Sequence, residues 1–207
     1  MTIHTNITGV ILAGGRGARM GGVDKGLVDL HGKPLVEHVI QRLQPQVPCI
    51  IVSANRNHAA YARYGFAVVG DEVISSDVAY AGPLAGILSA MMQATTDYIV
   101  TVPCDAPRLP TDLVARLLMQ LQRDRGRACM AYDGTRAQPI FALLHTSLRD
   151  EVRRALRAGQ NKVERWLRDS GCSSADFADC AAAFINLNTT ENISEFKSGD
   201  QVNKRST

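Results

Sequence analysis

Leu12-Ala13-Gly14-Gly15-Arg16-Gly17-Ala18-Arg19-Met20-Gly21-Gly22-Val23-Asp24-Lys25-Gly26 follows directly on an apolar run that begins at Ile7. Six glycines in a loop leaving a strand let the backbone approach a phosphate closely, with its N–H groups as donors. Arg19 and Lys25 supply the positive charge that a triphosphate needs. A loop this long and glycine-rich is costly to order, which argues against a plain connection. Two familiar phosphate loops fail on spacing. Walker A needs Gly-Lys followed by Ser or Thr, whereas Lys25 stands between Asp24 and Gly26. The dinucleotide fingerprint fails because Met20 occupies the place of its third glycine. It also expects an acidic residue after the second strand, where Ser53-Ala54-Asn55-Arg56 stands.

Outward from the loop, short apolar runs rich in β-branched residues alternate with amphipathic stretches. Strands are expected at Ile7–Ala13, Cys49–Ser53, Ala67–Gly70, Tyr98–Pro103, Ala128–Tyr132 and Ile140–Leu144. Near-continuous hydrophobicity in each suits strands covered on both faces. Helices are expected at Pro34–Gln44, Asn57–Tyr64, Pro83–Ala94, Thr111–Arg123, Leu148–Ala158 and Val163–Ser170. Thr111-Asp112 is expected to cap the fourth of these. The alternation predicts a three-layer α/β/α Rossmann-like fold with a mostly parallel central sheet. One domain over 1–196 and a polar, mobile tail at 197–207 complete the expectation. Ligands bind outside the carboxyl ends of strands in such sheets, here Leu12–Gly15, Ser53–Asn55, Asp71 and Pro103–Asp105.

The 207 residues carry a net charge of only +3, which gives no electrostatic case for a nucleic-acid partner. No apolar run is long enough to span a bilayer, and a secretory signal is not evident, so no membrane partner is expected. Five cysteines without a Cys-x-x-Cys pair suggest neither a disulfide framework nor a zinc site. Cys49, Cys104 and Cys129 read as buried apolar residues in a reducing, cytoplasmic compartment.

Leu12–Gly15, Arg19-Met20-Gly21 and Asp24-Lys25 resemble the signature loop of nucleotidyltransferases that activate sugars and cofactors. The likeness is nearest to the molybdenum cofactor guanylyltransferases. It extends through Gly32–Leu35, Gly82–Gly86, Pro103–Pro107 and Phe184–Thr189, in the family's order. The resemblance implies transfer of GMP from GTP to the terminal phosphate of Mo-molybdopterin, with release of pyrophosphate and dependence on Mg2+. It also implies molybdenum-insertion and molybdoenzyme proteins as partners.

Residue by residue, the resemblance puts Leu12, Ala13, Gly14, Gly15, Lys25, Asp71, Gly82 and Asp105 at the GTP site, with Asp105 as the metal ligand. Arg19, Lys25 and Asp105 would be catalytic. Magnesium prefers one or two carboxylates plus phosphate oxygens and waters, which suits Asp105 at the end of a buried strand. A carboxylate at Asp71 can accept from N1–H and the exocyclic amine of guanine, a donor pair that cytosine lacks. The family commonly has Asn where Ser53 stands, so either Ser53 or Asn55 contacts the base. Asn186, Asn188 and Lys162 match the acceptor pocket, Lys162 standing where an arginine is frequent. If Ile185–Asn188 is a strand, both amides share one side and Ile185 and Leu187 the other. The arginines at 149, 153 and 157 form a helical stripe that reads as a solvated face, outside the site.

Three rivals remain open at this level. Sugar-1-phosphate enzymes usually place proline soon after the loop arginine, where Met20-Gly21-Gly22 stands. Cytidylyl relatives tend to lack the Leu-Ala-Gly-Gly start. A non-catalytic GTP-binding module would have little need for Arg19, Lys25 and Asp105 together.

Overall fold

The computed structural model describes residues 5–15, 22–71, 82–189 and 191–196. β1 (Ile7–Leu12) lies between β4 (Cys49–Ser53) and β6 (Tyr98–Pro103), parallel to both. A strand with neighbours on both edges and helices on both faces leaves no side of itself to water, so β1 reads as one apolar run. β5 (Ala67–Val69) extends the sheet beyond β4. On the other side β8 (Ala137–His145) pairs with β6, β7 (Ala128–Tyr132) with β8, and β9 (Ser173–Asp176) with β7. The order is β5-β4-β1-β6-β8-β7-β9, and among its seven strands only β8 runs against the rest. The mostly parallel sheet is as the sequence implies.

Alternate side chains feed two cores. Ile7 and Ile11 of β1 join α1 (Leu35–Leu43), α2 (His58–Ala62) and α4 (Leu113–Asp124), through Val39, Tyr61 and Leu117 among others. Val10 faces the opposite way, toward α3 (Pro83–Gln93), α5 (Arg149–Arg157) and α6 (Val163–Asp169), through Leu88, Val152 and Trp166. This is the three-layer arrangement. Among the described residues no helix is long and apolar enough to cross a membrane.

A small third cluster matters for the site. A hairpin of β2 (Asp29–Leu30) and β3 (Lys33–Pro34), turned through His31 and Gly32 at positive φ, precedes α1. Leu30 and Leu35 there pack against Leu187 and Ile193, pinning the C-terminal segment to the front of the molecule. Ile185–Asn188 is not a strand. Ile185 is exposed and Leu187 fully buried, so the expected sharing of one side does not hold. The segment is fixed by Leu187 in its pocket and by its N–H, which donates to the Asp105 carbonyl at 2.9 Å.

Other expectations are corrected. Cys49 is exposed, because it opens β4 at the amino-terminal edge, where its Sγ lies 3.3 Å from Thr8 Oγ1; Cys104 and Cys129 are buried. β8 starts before Ile140, since a register shift at Met130/Ala131 lets Ala137 and Gln138 pair with Tyr132 and Ala131. β9 is short and polar, as edge strands are, and carries no apolar signal. The tail at 197–207 lies outside the described residues.

Asp112 sits at the N-cap of α4 but makes no side-chain cap bond. The buried Gln46 does this instead: its Oε1 accepts from Val114 N–H at 3.0 Å, and its Nε2 donates to the carbonyls of Arg42 (2.8 Å) and Pro110 (2.9 Å). Gln46→Leu would leave the Val114 N–H buried without its acceptor and strip the Arg42 and Pro110 carbonyls of the Gln46 donor, at a cost of about 1–3 kcal/mol for a buried group left unpaired. A loss of about 3 kcal/mol in urea unfolding is expected, and a loss below about 1 kcal/mol would contradict this capping role.

Candidate active site

The chain proceeds from β1 to β4 on one side and reaches β6 on the other, so a crevice opens at the carboxyl ends of β1, β4 and β6. Leu12, Ala13, Gly14 and Gly15 leave β1 into it, and Ser53, Asp71, Pro103 and Cys104 line it from the neighbouring strand ends. Lys25 and Asp24, where the glycine-rich loop returns, complete its front. Gly82, Pro83 and Gly86 line it from the start of α3. Gly82 turns the chain into that helix at φ +79, with Pro83 in the first turn. Gly86 lets the helix lie on the strand ends, because a side chain there would collide with Ser53 Oγ and press on Leu12.

Two polar clusters flank the crevice. In the first, the Asn55 amide embraces Asp71: Nδ2 donates to Asp71 Oδ2 at 2.7 Å, and Oδ1 accepts from the Asp71 N–H at 2.8 Å. Burial pushes the Asp71 carboxyl above its ordinary range, and the bond from Asn55 pulls it back. In the second, Lys25 Nζ lies 3.5 Å from Asp105 Oδ2 and donates to Asn188 Oδ1. Asp105 is buried, which raises its pKa, while the ammonium of Lys25 lowers it. Burial and the neighbouring Asp105 carboxylate keep Cys104 a thiol, ill suited as nucleophile or base.

The structure therefore brings Lys25, Asp105 and Asn188 into one cluster, and places Ser53, Asp71 and Gly82 around the adjoining crevice. The Asn186 carbonyl oxygen accepts from Asn188 Nδ2 at 3.4 Å, and its Oδ1 is buried without a hydrogen-bond partner among the described residues. Lys162 is exposed at the N-cap of α6, in a shallower groove that shares Pro83 and Ile140 with the crevice. Arg19 lies outside the described residues. Asp24, Arg56 and Tyr61 were not expected. Asp24 Oδ1 accepts from Tyr61 Oη at 2.5 Å, its Oδ2 accepts from Asn57 Nδ2 at 3.0 Å, and Arg56 lies 3.9 Å away. The nearest signal was Asp24 itself, within the loop.

The family described as "MobA-like NTP transferase domain" matches residues 9–175. The chain belongs to this family.

Within it, a molybdenum cofactor guanylyltransferase from Shewanella sediminis is 47% identical over 185 residues, covering 89% of this chain and 92% of that protein. One of the same description from Shewanella putrefaciens is 44% identical over 196 residues, covering 95% and 97%. The crystal structure of molybdopterin-guanine dinucleotide biosynthesis protein A from Archaeoglobus fulgidus superposes with a TM-score of 0.75 at 22% identity. It spans 94% of this chain and 98% of its own, and supports the fold. The chain is thus a nucleotidyltransferase of the MobA-like type.

Proposed function

We propose that the protein transfers GMP from GTP to the terminal phosphate of Mo-molybdopterin, releasing pyrophosphate and forming the guanine dinucleotide cofactor. One observation carries this reading from the geometry: Lys25 and Asp105, expected at the nucleotide, meet Asn188, expected at the acceptor, in a single cluster. In-line transfer needs both substrates at one point, and positioning then supplies much of the rate. The names of the close relatives point to the same reaction.

Asp71 accepts from the guanine N1–H and amine. Because both ends of the Asn55 amide are committed to Asp71, Ser53 rather than Asn55 takes the remaining contact with the base. Gly14 and Gly15 offer backbone N–H groups to the triphosphate, with Gly82 bounding the crevice opposite. Lys25 and Arg19 stabilise the departing pyrophosphate. The acceptor phosphate is already anionic, so no strong base is required.

The residues present fit magnesium. Among the described residues no group of three or more His, Cys, Asp or Glu could cage a metal. Asp105 instead offers a carboxylate at a strand end beside the crevice, the donor set of an ion completed by phosphates and waters. When bound, Mg2+ supplies neutralisation of the phosphate charge. Molybdenum-insertion and molybdoenzyme partners, and a cytoplasmic location, belong to this same reading.

The acceptor side gives a separable test. Lys162, Asn186 and Asn188 hold the pterin and its phosphate. Lys162→Ala is expected to weaken acceptor use about ten- to hundredfold, the worth of a hydrogen bond to a charged group, with GTP affinity unchanged. Lys162→Arg keeps the charge and adds a fork for phosphate, and is expected to be tolerated. Acceptor titration at saturating GTP checks both; an unaltered curve for Lys162→Ala places the acceptor elsewhere. For the reaction as a whole, GTP labelled at the α-phosphate should leave its label in a product containing molybdopterin. Label recovered only as free GMP or GDP would overturn the proposal.

A further inference from the structure

Arg56 has no part in the roles assigned above, yet its guanidinium grips three backbone carbonyls of the glycine-rich segment. Nη1 donates to Gly22 O at 2.6 Å, and Nη2 donates to Gly15 O at 3.2 Å and to Val23 O at 3.1 Å. Gly15 stands where the chain leaves β1, and Gly22 and Val23 where it returns toward Lys25. The side chain thus ties both ends of the segment together at its neck. Three carbonyl oxygens turned toward one point repel each other unless a cation with several donors sits among them. A planar fork of five N–H groups meets that demand, whereas an ammonium is a compact point charge.

The grip is itself held in place. Arg56 Nε is buried with no hydrogen bond among the described residues, and lies 3.9 Å from Asp24 Oδ2, a charge contact. The Asp24 carboxylate is fixed from the other side by Asn57 and Tyr61. Asp24 immediately precedes Lys25, so the turn after β4 sets where the backbone of Lys25 emerges. From there Nζ reaches Asp105 and Asn188.

We propose that Arg56 is a positioning residue for the phosphate-binding loop: by joining Gly15 to Gly22 and Val23 it fixes the placement of Lys25 over the triphosphate. This rests on the nucleotidyltransferase reading of the crevice. It does not depend on which base or acceptor is used. Opening the neck displaces Lys25 by an ångström or so, enough to cost about a hundredfold in rate.

The test is a double-mutant cycle with chemical rescue, run with whichever triphosphate the parent turns over. Arg56→Ala is expected to lose about a hundredfold in kcat/KM for the triphosphate. Arg56→Lys should recover only part, and added guanidinium ion should restore Arg56→Ala but not Arg56→Lys. Because Arg56 acts through Lys25, Arg56→Ala made on top of Lys25→Ala should cost less than about fivefold. Parent-like kinetics for Arg56→Ala, or an equal loss in both backgrounds, would overturn the proposal. If Arg56→Ala fails to fold, Arg56→Gln takes its place in the cycle, and the same comparison decides. Failure of the underlying reading looks different: Lys25→Ala alone would then leave turnover unchanged.

Discussion

Asp105→Asn is expected to lower turnover about a thousandfold, a scale set by loss of a group that stabilises charge in the transition state, while leaving the fold at least as stable as the parent's. Both halves follow from where Asp105 sits. Its carboxylate is buried in the turn just past β6, and its backbone carbonyl accepts from Leu187, so an amide of the same shape keeps the backbone geometry. Burial pushes its pKa up more than Lys25 pulls it down. A carboxyl raised by the fold lends stability while protonated, below its unfolded value, and that stability is lost as pH rises through the folded value. At neutral pH the ionised group is therefore a strain on the fold, and Asn removes it. The activity falls for the opposite reason, because the amide lacks the charge that Mg2+ needs. Turnover at saturating substrates and thermal melting check the two halves. Near-parent magnesium-dependent turnover would remove Asp105 from the metal site, and a clearly lowered melting temperature would contradict the account of its burial.

Lys25→Ala is the second large effect. Its ammonium bridges Asp105 and Asn188, but the greatest demand for its charge comes as pyrophosphate departs. Turnover at saturation is expected to fall about a hundred- to a thousandfold, with GTP affinity changed only a few-fold. Steady-state kinetics beside a direct GTP binding measurement separate the two. An effect confined to affinity would make Lys25 a ground-state ligand.

Six of the main sheet's seven strands and most helices were legible because buried strands are short continuous apolar runs, and Tyr98–Pro103 and Cys49–Ser53 have the expected bounds. What escaped depends on partners remote in sequence. Ile185–Asn188 looks like an alternating strand, yet Leu187 is set by Leu30 and Leu35, and no local pattern reports them. Gln46 caps α4 across 68 residues, while the locally reasonable Asp112 does not. In the site, Lys25, Asp71 and Asp105 announce themselves by standing in the signature loop or at strand ends. Arg56 does not, since its meaning comes from Gly15 being brought beside it from 41 residues away. The engagement of Asn55 needed the structure for the same reason: only the return of Asp71 beside it shows that its amide is paired with that carboxylate and N–H.

The central claim is guanylyl transfer to a molybdenum–pterin acceptor, and pyrophosphate release measured with each of the four nucleoside triphosphates, with and without Mo-molybdopterin, tests it most directly. Release with GTP alone among the four, and only when the acceptor is present, is the predicted result. Equal or greater release with CTP, or release from GTP that is indifferent to the acceptor, would contradict it.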